Sequence, residues 1–154
     1  MVERFSLRNL IGRGAPIRDR RRHERHTPKP GTKVLIIDDS STVVFSLKKM
    51  LQQGHFDTLE AFDAESGIEL AIEHRPSLIF LDIVLPGMNG FKALRVLRRD
   101  ERTLRTPVIM ISGNQQATDQ FWVQKIGADD FMNKPFTRAA VFERVERLLF
   151  NHKI

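Results

Sequence analysis

Four short strand-like runs each end on a polar or charged side chain, and no other feature of the chain restricts its fold as strongly. Val34-Leu35-Ile36-Ile37 ends on Asp38 and Asp39, Ser77-Leu78-Ile79-Phe80-Leu81 on Asp82, and Pro107-Val108-Ile109-Met110-Ile111 on Ser112. The fourth, a short strand-like stretch at 129–133, is followed by Lys134. Continuous apolar runs of this length suit strands of a parallel sheet covered on both faces. The segments between them carry helical spacing. Val43, Val44, Leu47, Met50 and Leu51 predict a helix stopped at Gly54, and a weaker strand follows at 58–62. Helices are expected at 64–74, around Phe91, Leu94 and Leu97, at 116–126 and at 137–150. The third presents a basic face of Arg95, Arg98, Arg99 and Arg102, read as solvated.

A strand-helix alternation repeated five times predicts an α/β fold, a doubly wound parallel sheet with helices on both faces. Right-handed crossovers favour the flavodoxin-like strand order 2-1-3-4-5. The C-terminal strand ends of such a sheet share one edge, so three carboxylates, a hydroxyl and an ammonium gather in one crevice. Three acids held that close repel one another unless a cation lies among them. Mg²⁺ suits this set, since it takes one or two carboxylates, waters and phosphate oxygens. No His or Cys stands near these ends, which makes zinc or copper a poor fit. An Asp carboxylate can act as a nucleophile and form an acyl phosphate, with a metal and Lys134 offsetting charge and Ser112 donating to a phosphoryl oxygen. Any one Asp after a strand is usually a helix cap or a loop residue. All five groups at strand ends point instead to a site.

The motifs that carry this chemistry resemble the response-regulator receiver domain, the phosphoacceptor module of two-component signalling. They are Val34-Leu35-Ile36-Ile37-Asp38-Asp39-Ser40, Leu81-Asp82-Ile83-Val84-Leu85-Pro86-Gly87-Met88-Asn89-Gly90, Ile111-Ser112-Gly113 and Lys134-Pro135-Phe136, in family order. The resemblance implies that Asp82 is phosphorylated by a histidine kinase, and that Asp38, Asp39, Asp82 and the Val84 carbonyl hold Mg²⁺. It implies that Ser112 and Lys134 contact the phosphoryl group and that the Lys134-Pro135 bond is cis. Phe131 takes the switch-aromatic position and is expected to turn inward as Ser112 shifts. Val84 and Asn114 flank the family's hydrolytic-water path. Output is expected through protein–protein contacts of the fourth helix, last strand and last helix, where Phe121 and Trp122 stand. The chain is then a phosphoacceptor with autodephosphorylation rather than an enzyme. Among single-domain regulators it is similar to the type IV pilus twitching and chemotaxis-like branch, through 81–91 and the aromatic fourth helix.

Composition divides the chain. The net charge is +6, but ten of the 25 Lys and Arg and only three of the 19 acids fall before Val34, leaving 15 basic and 16 acidic residues beyond. Basicity therefore belongs to an N-terminal arm, and specific DNA binding by the whole protein is not expected. The expected division is an arm at 1–32, a receiver at 33–150 and a tail at 151–154, the tail leaving no room for a C-terminal output domain. Without Cys, a transmembrane-length apolar run or a signal peptide, a cytoplasmic location is expected.

The arm holds two features. Phe5, Leu7, Leu10 and Ile11 among Arg4, Arg8 and Arg13 allow a short amphipathic helix, or a disordered tail with incidental apolar residues. Arg21-Arg22-His23-Glu24-Arg25 resembles the opening RRxxR element of PilZ-type cyclic-di-GMP sites, although that family's second element is absent. Arg21, Arg22 and Arg25 are accordingly candidates for cyclic-di-GMP or for an anionic surface, against a solvated linker. Three function classes follow: a phospho-switch, a nucleotide-binding effector, and a phosphate sink that drains a kinase.

Overall fold

The computed structural model describes residues 26–113 and 127–150. The expected helix at 116–126, with Phe121 and Trp122, lies outside them, as do Asn114, the arm before His26 and the tail at 151–154. Five strands, β1 (Lys33–Ile37), β2 (Asp57–Ala61), β3 (Leu78–Asp82), β4 (Val108–Ser112) and β5 (Asp130–Asn133), form one parallel sheet in the order β2-β1-β3-β4-β5. The described helices are α1 (Ser41–Gln53), α2 (Ala64–His74), α3 (Gly90–Arg99) and α4 (Arg138–Leu149).

Successive strand residues point to opposite faces, and the core divides accordingly. Leu35, Ile37, Ile79, Leu81, Val108, Met110 and Phe131 pack with Ala71, Leu94 and Leu97 of α2 and α3. Val34, Ile36, Leu78, Phe80, Ile109, Ile111 and Met132 pack with Leu47, Leu51, Val141 and Val145 of α1 and α4. β2 reads weakly as a strand because it forms one edge of the sheet and is largely half-exposed.

Helix ends follow local chemistry. Ser40, Asp63, Asn89 and Thr137 cap the four helices, each accepting a backbone N–H of the first turn. Gly54 does end α1, but its φ is −90°, and the left-handed residue of that turn is His55 at 73°. Glycine is needed at 54 for space instead, since a Cβ there would stand 2.7 Å from the Phe142 ring.

The basic face of α3 is not uniformly solvated. Arg95 and Arg99 are exposed, but Arg98 turns back across the helix end. Its guanidinium donates to the carbonyls of Gly127 (3.1 Å), Leu104 (3.3 Å) and Thr106 (2.8 Å) and to Asp129 Oδ2 (2.8 Å), which also accepts the Val108 N–H. One side chain thus gathers the end of α3, the entry to β4 and the turn into β5. Arg98→Ala is expected to lower stability by about 2 kcal/mol in urea unfolding, since it takes the donor from three carbonyls and breaks the ion pair with Asp129. Arg95→Ala should stay within about 0.5 kcal/mol of wild type. Equal values for the two would show that the Arg98 bonds contribute nothing.

Residues 26–32, read from sequence as part of the arm, lie against the receiver. Pro28 is buried, the Thr32 carbonyl accepts the Asp57 N–H at 2.9 Å, and His26 meets α4.

Candidate functional site

β1 ends at Ile37, and the Asp38 N–H still reaches the Ala61 carbonyl, so Asp38 leaves the sheet at its C-terminal edge. Asp38 Oδ1 accepts the Ser40 N–H at 2.9 Å, a turn that delivers Ser40 to cap α1. Asp82 ends β3, opposite Ile111, and Ser112 ends β4 opposite Asn133. Lys134 follows β5; its N–H donates to the Ser112 carbonyl at 2.8 Å, and the Lys134-Pro135 bond is cis.

These placements bring Asp38, Asp39 and Asp82 together, with one carboxylate oxygen from each within 4.8 Å of the others. Asp38 and Asp82 are buried, as is Ser112, whereas Asp39 is exposed. Lys134 Nζ lies 3.0 Å from Asp38 Oδ2 and 3.3 Å from Asp82 Oδ2, and the Val84 N–H donates to Asp82 Oδ1 at 3.4 Å. The Val84 side chain is 71% exposed, so its backbone borders the mouth of the crevice.

Charge is unbalanced here. Burial and then the neighbouring Asp38 charge push the Asp82 carboxyl up to about 6, with Lys134 and the Val84 N–H offsetting only part. Burial pulls Lys134 down, but its pairing with Asp38 and Asp82 outweighs this and leaves the ammonium held above its ordinary range. Asp38 Oδ2 is enclosed yet makes no hydrogen bond of good geometry, its contact with Lys134 being ionic only. One ammonium facing three carboxylates, one oxygen of them unsatisfied, fits a hard divalent cation with oxygen ligands. Beside Lys134 a cavity of about 390 Å³ opens between Thr42, Val43 and Ser46 of α1 and Gly113, Pro135 and Phe136.

The response regulator receiver domain family matches residues 34–146. This chain belongs to that family. It is 35% identical over 117 residues to protein PilH of Pseudomonas aeruginosa, covering 76% of this chain and 97% of PilH. Other curated relatives, transcriptional regulators, are matched over about half of their length. Among solved structures, the receiver domain of sensor histidine kinase PA1611 from P. aeruginosa, with magnesium coordinated in its active-site cleft, superposes with a TM-score of 0.72 at 25% identity, over 77% of this chain and 97% of that one. CheY of Borrelia burgdorferi, in a complex described as CheX-CheY-BeF3-Mg, gives 0.71 at 29% identity, over 75% and 87%. The observed strand order is the flavodoxin-like one these relatives share. Among the described residues no helix is long and apolar enough to cross a membrane.

Phe131 is buried against the α3 side of the sheet. Its N–H donates to Asp130 Oδ1 and its carbonyl accepts Arg144 Nε at 3.0 Å, so α4 grips the backbone of Phe131. Sequence reasoning named Phe131 but missed Arg144, because a backbone carbonyl leaves no mark in a sequence. The cyclic-di-GMP candidates Arg21, Arg22 and Arg25 lie outside the described residues, and none of the relatives supports that reading.

Proposed function

We propose that the chain is a phosphorylation-controlled switch whose phosphoacceptor is Asp82. The observation that carries the reading is the cluster of buried Asp38 and Asp82 with exposed Asp39 at its rim, and Lys134 ion-paired to the two buried members. Asp38, Asp39, Asp82 and the Val84 carbonyl would hold Mg²⁺, which supplies positive charge to the transferring phosphoryl oxygens. An Asp82 oxygen attacks the phosphorus of a phosphohistidine on a sensor kinase. The new O–P bond forms as the N–P bond breaks, and the imidazole nitrogen leaves with its electron pair to take a proton from water. Lys134 then exchanges a carboxylate for a phosphoryl oxygen, and the Ser112 hydroxyl donates to another. The apolar cavity beside Lys134 and the exposed Phe45 on α1 support an approach of the donor across α1.

Output runs through the face that includes β5 and α4. Phosphorylation favours one of two packings already accessible, with Ser112 and Phe131 as the groups that respond. Similarity to PilH supports a place in pilus-twitching or chemotaxis-like control. The test is phosphoryl uptake from a small acyl-phosphate donor, with and without chelator. Mg²⁺-dependent formation of a hydroxylamine-labile adduct is expected. Uptake insensitive to chelator, or an adduct on another side chain, would sink the reading.

A further inference from the structure

The strap at 26–32 lies outside the family match, which begins at residue 34. It crosses the base of the receiver, away from the acidic crevice, from α4 to the start of β1. His26 holds Glu146 twice, through its N–H to Oε2 at 3.2 Å and through Nδ1 to Oε1 at 2.7 Å. Its ring stacks on Phe150, the C-cap residue of α4, with centroids 4.9 Å apart and planes 13° apart. Pro28 is buried two residues on, and Thr32 closes a turn onto the Lys29 carbonyl through both its N–H and its hydroxyl. A cavity of about 430 Å³ lies under the strap, walled by Gln53, Gly54 and His55 of the α1–β2 turn and by Arg138, Phe142 and Glu146 of α4. Arg138 crosses it to bond Gln53 Oε1 while lying over the Phe142 ring, so α4 is also fastened to the end of α1.

α4 is therefore held at both ends by groups that matter. Its N-cap, Thr137, stands three residues after Lys134, and its C-cap lies under His26. A helix of 12 residues is a stiff rod of about 18 Å, so displacement at one end is felt at the other. We propose that the strap is a latch that couples the chain N-terminal to residue 26 to the phosphoacceptor site, acting through α4 on Lys134. The inference rests on the phosphoacceptor reading above. A phosphoryl group on Asp82 draws Lys134 off its present bridge between Asp38 and Asp82 and so pulls on the leading end of α4. The closed latch resists that pull. Releasing it, by substitution or by a partner that draws on the arm, eases occupation of the site, and by reciprocity occupation of the site loosens the latch.

The test uses the full chain and beryllofluoride with Mg²⁺ as the phosphoryl mimic, in wild type, His26→Ala, Glu146→Gln and the double variant. Calorimetric affinity is expected to rise about threefold in His26→Ala, which loses the side-chain contact to Glu146 and the stack on Phe150, and by less in Glu146→Gln, which keeps the stack. The double variant should match His26→Ala, because the side-chain contact to Glu146 is already lost there. Hydrogen exchange at amides 29–33 should speed up when the mimic binds to wild type. Variants that bind the mimic as wild type does overturn the coupling alone. A wild-type chain that binds no mimic overturns the phosphoacceptor reading and the coupling with it.

Discussion

An Asp82→Asn chain takes up no phosphoryl group, and in metal-free solution near pH 8 it is more stable than wild type. The first half follows from the loss of the nucleophile, since an amide forms no acyl phosphate. The second follows from the electrostatics of the crevice. Asp82 titrates near 6 in the folded chain against an ordinary value of 3.8, chiefly because it is buried and next because Asp38 is charged. The folded state thus keeps a proton that the unfolded state releases, and stability falls as pH rises through that interval. The full interval corresponds to about 3 kcal/mol lost by pH 7. Asparagine removes the charge; the pairing with Lys134 is already contained in that interval, and solvent screening at the crevice reduces the effect, so a net gain of about 2 kcal/mol is expected, or roughly 5 °C in Tm. Thermal unfolding in chelator from pH 4 to 8 checks it. The two chains should agree near pH 4, diverge up to pH 6 and run parallel beyond. A variant less stable than wild type at pH 8 would show that the Lys134 pair outweighs the desolvation and repulsion. Added Mg²⁺ should narrow or reverse the gap, because a ligand that binds only the folded state stabilises it and wild type offers it one more carboxylate.

The parts of this site that sequence reveals are those carried by side-chain type at a strand end. Asp38, Asp82 and Lys134 meet because β1, β3 and β5 are parallel and stop in step, and parallel pairing follows from apolar runs separated by helix-period segments. The bounds of α2 at 64–74 were legible from its helical spacing, and in the structure Asp63 caps it and Arg75, in a left-handed conformation, ends it. What stayed hidden depends on partners without a sequence signature. Arg98 read as one more solvated arginine because three of its four acceptors are backbone carbonyls. The strap read as part of the arm because Thr27-Pro28-Lys29-Pro30-Gly31 offers no helix or strand pattern, and the partner of His26, Glu146, lies 120 residues away. Gly54 read as a helix stop by conformation, whereas its small size beside Phe142 is what the fold uses. Local pattern reports what a residue prefers. It does not report what arrives next to it from elsewhere in the chain.

Gly90 is the sharpest case of such an arrival, and Gly90→Ala is expected to be the most damaging small substitution in the receiver. Gly90 opens α3, and its N–H donates to the Ile83 carbonyl at 2.8 Å, so the helix start is pressed onto the segment leaving β3. A Cβ at this position would stand 2.1 Å from the Asp82 carbonyl oxygen and 2.8 Å from Ile83 Cα. Both are backbone atoms, which no side-chain rotation can move aside. Alanine would gain about 1 kcal/mol of helix propensity, but relieving the overlap means shifting either α3 or the strand that ends on Asp82. A net loss of about 3 kcal/mol is expected, with Tm lower by roughly 6–12 °C. Phosphoryl uptake should fall as well, because any relief moves Asp82 against Asp38 and Lys134. Two further glycines separate crowding from mere substitution. At Gly67 a Cβ would meet only side-chain atoms of Ile37, with Cδ1 at 2.5 Å and Cγ1 at 2.7 Å, which yield more readily than backbone, so Gly67→Ala should cost less. At Gly113, beside Ser112, no atom of the described residues lies within 4 Å of such a Cβ, and Gly113→Ala should leave stability near wild type. Chemical unfolding of the three variants ranks them. A Gly90→Ala chain as stable as Gly113→Ala would mean that α3 is not seated on the Asp82 backbone, and that the crevice owes its shape to the strand ends alone.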